Sequence, residues 1–206
     1  MIHHEFVQGT PEWFAVRAGK PTASCFDKLI TSTGEPSKSM PGYAITLAGE
    51  LFAGKPLDAW EGNAHTERGT MLEDEARSMY AFLNEVEPQQ VGFITDDALT
   101  YGCSPDSHIG EDGLLEIKCL KAENHIKAIL YHKKHQKLPP DYVQQTQGQL
   151  LVTGRKWNDL FFYHPDLPRL CIRQTLNAEI AEALKMQIEA VIKERDKILA
   201  TLKGDV

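Results

Sequence analysis

No apolar run in this chain of 206 residues approaches the roughly 20 residues that a membrane-spanning helix needs, so a helical membrane protein is excluded. The opening residues, Met1 to Phe6, lack a charged segment followed by an apolar one, so no secretory leader is expected. Cysteine is scarce. Cys25, Cys103, Cys119 and Cys171 form neither a CxxC pair nor a cysteine/histidine metal pattern. A hairpin can bring Cys103 and Cys119 together, but reduced core thiols in a cytoplasmic protein are the expectation. Internal repeats and linkers are also missing, so residues 1–206 read as one domain, long enough to bury a full core. Hydrophobic and charged shares of 42% and 25% exclude a disordered chain. An excess of basic residues is missing too: the net charge is −7, where a nucleic-acid binder usually carries a basic surface.

That charge is unevenly spread. Lys118, Lys121, Lys127, Lys133, Lys134 and Lys137, with His125, His132 and His135, face the lone acid Glu123. Acids concentrate in 61–97 and in the last helix. A DNA-facing patch on an acidic protein and a solvated helix face both account for the basic stretch.

Thr10 suits an N-cap, Pro11 the first helical position and Gly19 a stop. Residues 23–31 and 41–53 read as short helices around a Gly/Ser/Pro-rich loop at 32–42. Leu72, Ala76, Met79, Tyr80 and Leu83 recur at helical spacing within 67–84. Strands are expected at 90–96, 100–109 and 114–120, then a basic helix over 122–134 and a helix from Pro140 to Thr153, stopped by Gly154. Residues 157–164 and 169–175 alternate like strands. Asn177 caps a final helix, about 177–203, that buries Ile180, Leu184, Ile188, Val191, Leu199 and Leu202. This order predicts α+β or α/β, a mixed central sheet flanked by helices.

Residues 101–119 read YGCSPDSHIGEDGLLEIKC. Glu116 and Lys118 flank Ile117, so on a strand both point to one face. Asp112-Gly113 is a hairpin signal, and the hairpin would fold Asp106, after Pro105, back towards Glu116. Two carboxylates on one face suit Mg²⁺, which takes oxygen ligands. A lysine beside them can hold and help deprotonate a water. This is the equipment of a metal-dependent nuclease, although a polar hairpin edge also accounts for so short a pattern.

Three other segments join it: Trp13–Ser24 (WFAVRAGKPTAS), Glu67–Arg77 (ERGTMLEDEAR) and Tyr142–Leu150 (YVQQTQGQL). With SPD…LEIKC between the last two, the chain over roughly 8–175 resembles the YqaJ-type viral recombinase family of the PD-(D/E)xK superfamily, the family of the lambda-phage exonuclease. The resemblance implies a restriction-endonuclease-like core. It implies a Mg²⁺-dependent 5′→3′ exonuclease on linear double-stranded DNA, with Mn²⁺ as a substitute and two ions per site. Such an enzyme releases mononucleotides from the 5′-phosphorylated strand and leaves a 3′ single-stranded tail for recombination by strand annealing. A ring-shaped homotrimer around the DNA, a phage single-strand annealing protein as partner, and a phage or prophage gene expressed in the bacterial cytoplasm are implied as well. The last helix lies outside the matching motifs.

Asp106 and Glu116 resemble the family's metal ligands, with the Ile117 carbonyl as another oxygen. Lys118 would position the attacking water and offset charge on the scissile phosphate. Glu73 matches the family's helical acid, reaching the metals directly or through water; spacing alone ranks it nearly equal with Asp74 and Glu75. Gln145 matches an active-site glutamine, with Gln147 its competitor, while Tyr142 and Trp13 read as core. Arg17 and Ser24 match a 5′-phosphate pocket; a surface arginine at a helix end is the plainer account of Arg17. Lys121, Lys127, Lys133, Lys134 and Lys137 are weaker candidates for phosphate contacts. An endonuclease on the same core would share Asp106, Glu116 and Lys118 but would not need Arg17 and Ser24. A non-catalytic, nuclease-like DNA-binding protein would need none of them intact.

Overall fold

In the computed structural model, which describes residues 1–57 and 64–204 and the side chains of 1–57 and 72–204, the chain opens with a strand too short to show a period, β1 (Ile2–His4). Helix α1 (Pro11–Arg17) starts as expected: Thr10 caps it by accepting from the Trp13 N–H at 3.3 Å. The segment predicted helical at 23–31 is a tighter 3₁₀ turn over Ala23–Lys28. Helix α2 (Met40–Ala53) follows, then α3 (Ala64–Asn84). The side chains of Glu67, Arg68, Gly69, Thr70 and Met71, which belong to the second motif, lie outside the described residues.

The two strands expected next are each broken in two. Residues 90–96 give β2 (Gln89–Gln90) and β3 (Phe93–Thr95), and 100–109 give β4 (Gly102–Cys103) and β5 (Ser107–Ile109). Pro105 explains the second break. It has no N–H for a ladder, so the chain leaves one sheet there and enters the other. Strand β6 (Gly113–Lys118) runs into α4 (Ala122–His135). A 3₁₀ turn over Pro140–Tyr142 leads into α5 (Val143–Thr153). Strands β7 (Trp157–Phe162) and β8 (Leu170–Thr175) precede α6 (Ala178–Gly204), which Asn177 caps through the Ile180 N–H at 3.1 Å.

The architecture is the mixed α+β arrangement expected. One sheet has the order β1-β3-β4; the larger runs β2-β5-β6-β7-β8. Among the described strands every pair is antiparallel except β6–β7, whose parallel pairing requires the crossover through α4 and α5. That crossover lays α5 beside β6, which positions the site.

Three apolar clusters hold the layers. Phe26, Leu29, Ile30, Leu47, Leu184, Ile188 and Val191 join the Ala23–Lys28 turn to α2 and α6. Ala76 and Tyr80 of α3 pack on Leu115, Ile117 and Phe161 of the larger sheet. Ala128 and Leu138 cover Leu160, Phe162 and Ile172 on its other face. Each such fully buried Leu, Ile or Phe contributes roughly 1.5–3 kcal/mol. Leu202, expected on the buried stripe of α6, is exposed, as is Leu83 at the helical spacing of α3. Of the expected core thiols only Cys103 is buried; Cys25 and Cys119 are half-buried and Cys171 is exposed.

Candidate active site

Alternation on β6 does the first work. Leu115 and Ile117 point to the α3 side, so Glu116 and Lys118 point to the α5 side. The β5–β6 hairpin does the second. Ser107 pairs with Leu115, and the Asp106 N–H donates to the Leu115 carbonyl at 3.1 Å. Asp106 is thereby held beside Glu116, and its Oδ2 accepts from the Ile117 N–H at 2.6 Å. The residue with positive φ in this turn is Gly110 (φ 53°), not Gly113 of the Asp-Gly pair.

Helix α5 completes the array. Gln145 donates from Nε2 to Glu116 Oε1 at 2.6 Å and accepts from Lys118 Nζ at 3.1 Å. Lys118 also donates to Glu116 Oε1 at 2.7 Å, closing a triangle. Tyr142 packs edge-on against Phe162, as a core residue would, and lends its ring face to Lys118 Nζ at 5.8 Å. Gln147, the competitor of Gln145, turns away: it donates to the Thr175 carbonyl and accepts from the Asn177 N–H, tying α5 to the start of α6.

Glu73 approaches from α3. It is the least exposed of the two acids that pair with Arg77, with 35% of its side chain accessible against 82% for Asp74. Glu75 instead accepts from the Tyr163 hydroxyl. In this arrangement Glu73 is turned to Arg77, and Arg77 also donates to Ser107 Oγ at 3.1 Å.

These carboxylates crowd one another. Burial pushes the Asp106 carboxyl well above the usual aspartate range, and Glu116 and Glu73 push it further, against the pull of Lys118. Burial also raises Glu73, with Arg77 opposing and Glu116 adding. Burial pulls Lys118 down, but Glu116 and Asp106 outweigh it, so the ammonium is held firmly. Among the described residues no three His, Cys, Asp or Glu side chains already stand as a closed ligand set. Even so, the donors fit a hard divalent cation: they are carboxylate oxygens, and their mutual repulsion is what such a cation relieves. Asp106 and Glu116 would hold it most directly, with Glu73 reaching it after release from Arg77.

A second cluster has the opposite character. Arg17 ends α1 and lies over the Trp13 ring at 3.9 Å. Trp13 is thus half-buried rather than core, and it serves as a platform for the guanidinium. Arg17 donates to Ser24 Oγ at 3.3 Å and to Ser104 Oγ at 3.2 Å, and Thr22 Oγ1 lies 3.3 Å from Ser24 Oγ. Burial lowers the Arg17 pKa from its ordinary value, yet a guanidinium stays charged at neutral pH. Among the described residues it bonds hydroxyls and no carboxylate.

A groove of about 570 Å³ reaches Ser24 of the second cluster and Gln145 of the first. Ser24, Asp27, Thr31, Asp141, Gln144 and Gln145 line it. Beside it α5 packs closely on the Ala23–Lys28 turn at Gly148, where a Cβ would strike the Phe26 ring at 2.4 Å. The lysines of α4 and beyond stand apart: Lys133, Lys134 and Lys137 are exposed, and Lys127 pairs with Glu123.

Three residues outside the candidate list complete the site. Gln149 donates to Glu116 Oε2 at 2.6 Å; one helical turn from Gln145, its placement is readable from i,i+4 spacing. Ser104 accepts from both Trp13 Nε1 and Arg17. Its only signal is its place before Pro105-Asp106. Arg77 stands in the second motif, but its link from Glu73 to Ser107 needs the fold to be seen.

The chain is similar in structure to an alkaline exonuclease (LHK-Exo) from Laribacter hongkongensis, with a TM-score of 0.82 and 32% identity over 95% of this chain and 97% of that one. It is equally similar to the same enzyme in complex with dAMP, with a TM-score of 0.81 and 31% identity over the same shares. A phage-related exonuclease from Haemophilus somnus 129PT shares the fold, with a TM-score of 0.70 and 16% identity over 89% of this chain and 96% of that one. These matches identify the restriction-endonuclease-like fold. No curated protein matches the chain. The model of the YqaJ-like viral recombinase domain matches residues 12–156, a stretch that holds Arg17, Ser24, Glu73, Asp106, Glu116, Lys118 and Gln145, and the chain belongs to that family.

Proposed function

We propose that this chain is a Mg²⁺-dependent 5′→3′ exonuclease of linear double-stranded DNA. It releases mononucleotides from the 5′-phosphorylated strand and leaves a 3′ single-stranded tail for recombination by strand annealing. Family membership and the 32% identity to an alkaline exonuclease support the nuclease chemistry. That relative also binds dAMP, which suits mononucleotide release. The observation that carries the end-specific reading is the charge mismatch between two clusters: a guanidinium met by the Ser24 and Ser104 hydroxyls, and carboxylates crowded around Asp106. A terminal phosphate fits the first cluster and a metal-bound scissile phosphate the second.

Asp106 and Glu116, the Ile117 carbonyl, and Glu73 directly or through water would hold the ions, two per site, with Mn²⁺ able to replace Mg²⁺. When bound, the ions supply Lewis acidity and a more acidic water. Lys118 orients that water from its seat on Glu116 and offsets charge on the phosphate. Gln145 keeps Lys118 in place. Arg17, Ser24 and Ser104 hold the 5′ phosphate. In the same reading the protein works as a homotrimeric ring in the bacterial cytoplasm beside a phage annealing protein. A ring keeps the acidic exterior, part of the net charge of −7, away from the DNA.

The test offers the protein a linear duplex labelled at its 5′ ends and a covalently closed circle of the same sequence. Labelled mononucleotide should leave the linear duplex first, with the circle intact. Cutting of the circle would establish an endonuclease instead, and cutting of neither a binding protein.

A further inference from the structure

Helix α6 lies beyond the residues matched to the family, and its stripe of Leu184, Ile188 and Val191 ends on a residue that does not belong in an apolar face. Arg195 occupies the next buried position and is 8% exposed. A buried guanidinium is costly unless its donors are met. Its Nε donates to Asp196 at 2.8 Å, and its Nη1 crosses to the Gly19 carbonyl at 2.8 Å, a contact between residues 176 positions apart.

Gly19 is an unusual place to spend that contact. Its φ is +71°, and a Cβ there would stand 2.8 Å from Leu51 Cβ, so α2 tolerates only glycine. Both of its backbone groups are taken by side chains from distant helices. Glu50 of α2 accepts from its N–H at 2.9 Å, and Arg195 of α6 donates to its carbonyl. The segment is tied again just beyond: the Pro21 carbonyl accepts from the Gly102 N–H at 3.0 Å, and the Thr22 N–H donates to the Tyr43 hydroxyl at 3.2 Å.

This strapped bend joins Arg17 at the end of α1 to Ser24 at the start of the 3₁₀ turn. Their mutual contact, at 3.3 Å, is near the limit of a hydrogen bond, so a small shift of either half opens it. We infer that Arg195 is a positioning residue for the phosphate pocket: from the C-terminal helix it pins Gly19, and so sets the spacing of Arg17 against Ser24 and Ser104. The inference rests on reading that pocket as the 5′-phosphate site. It gives α6 a part in end recognition that the matched domain does not contain.

The experiment compares initial rates on duplexes ending in 5′-phosphate and 5′-hydroxyl, resolved into kcat and KM, with thermal unfolding alongside. Arg195→Met keeps the length and removes the donors. It should cut the wild-type preference for 5′-phosphate by about three- to tenfold, the scale of a slightly misplaced binding group. The loss should fall on KM for the phosphorylated end and leave the 5′-hydroxyl rate alone. Arg195→Lys restores a donor and should recover part of the preference; it also carries the test if the Met variant does not fold. Val191→Ala weakens α6 packing without touching Gly19, and should lower Tm while leaving the preference intact. An unchanged preference in Arg195→Met, or an equal loss in Val191→Ala, overturns the inference. A wild-type preference near one overturns the phosphate pocket itself, which is a separate result.

Discussion

The two clusters fail to balance their charge in opposite directions. In one, Asp106, Glu116 and Glu73 crowd together with Lys118 beside them and Arg77 on Glu73, and Asp106 is forced towards its protonated form. In the other, Arg17 is half-buried, stacked on Trp13, and met by Ser24 and Ser104 hydroxyls that carry no charge. A folded protein normally pairs the charges it buries. Where it does not, the sign left over describes the missing partner: a cation at the first, an anion at the second. The same chain shows what satisfied burial looks like. Asp159, buried on β7, accepts from two Arg173 nitrogens at 2.8 Å and from the Tyr80 hydroxyl at 2.6 Å, and that network ties α3 to the sheet.

The largest effects should come from the anionic cluster. Asp106→Asn should lower kcat by at least roughly 10³-fold, beyond the usual loss of one transition-state donor. The same variant should be more stable than wild type in chelator. The sign follows from the raised Asp106 pKa: between the ordinary value of 3.8 and the folded value, the native state holds a proton that the unfolded chain has released. Wild type therefore loses stability as pH rises through that window, and asparagine does not. Thermal melts from pH 4 upward, with and without Mg²⁺, check both halves. Wild type alone should regain stability when Mg²⁺ is added. A variant that is inactive and also less stable at every pH would show that Asp106 is structural.

Lys118→Met comes next, with an expected loss of about 10²-fold in kcat and little change in KM, because its charge is needed as the phosphate becomes more negative. A matching fall in Tm would assign the lysine to the Glu116–Gln145 triangle instead.

In the cationic cluster the effect should be smallest and most selective. Arg17→Gln should reduce the 5′-phosphate preference by about tenfold, since a charge-assisted contact is worth roughly 1.5–3 kcal/mol, while the rate on 5′-hydroxyl ends holds. An equal loss on both ends would remove the contrast between the two clusters.

Legibility in the sequence followed distance along the chain. Glu116 and Lys118 share a face because strands alternate, and a hairpin brings Asp106 to them; both rules are local. Arg17 and Ser24 are seven residues apart, and they do meet. Gln149 was within reach of helical spacing. Glu73 could be ranked above Asp74 and Glu75 only by resemblance, since the direction of α3 across the sheet decides it. Trp13 misled through its hydrophobicity, because a ring serving as a platform and a ring filling a core have the same composition signal. Arg195 had no signal. In an amphipathic helix it reads as one more solvated cation, and its partner is a backbone carbonyl at the other end of the chain.

Beside Lys118, two further residues that steady Glu116 have one property in common that bears on the rest of the site. Gln145 and Gln149 grip both carboxylate oxygens, yet an amide brings no net charge. Lysines or arginines in their places would orient Glu116 as well and would also quench it. The glutamines separate rigidity from neutralisation: they stiffen the carboxylate, and the cancelling of its charge is left to Lys118. Two neutral donors beside one cation let selection adjust how firmly a carboxylate is aimed separately from how much of its charge is offset.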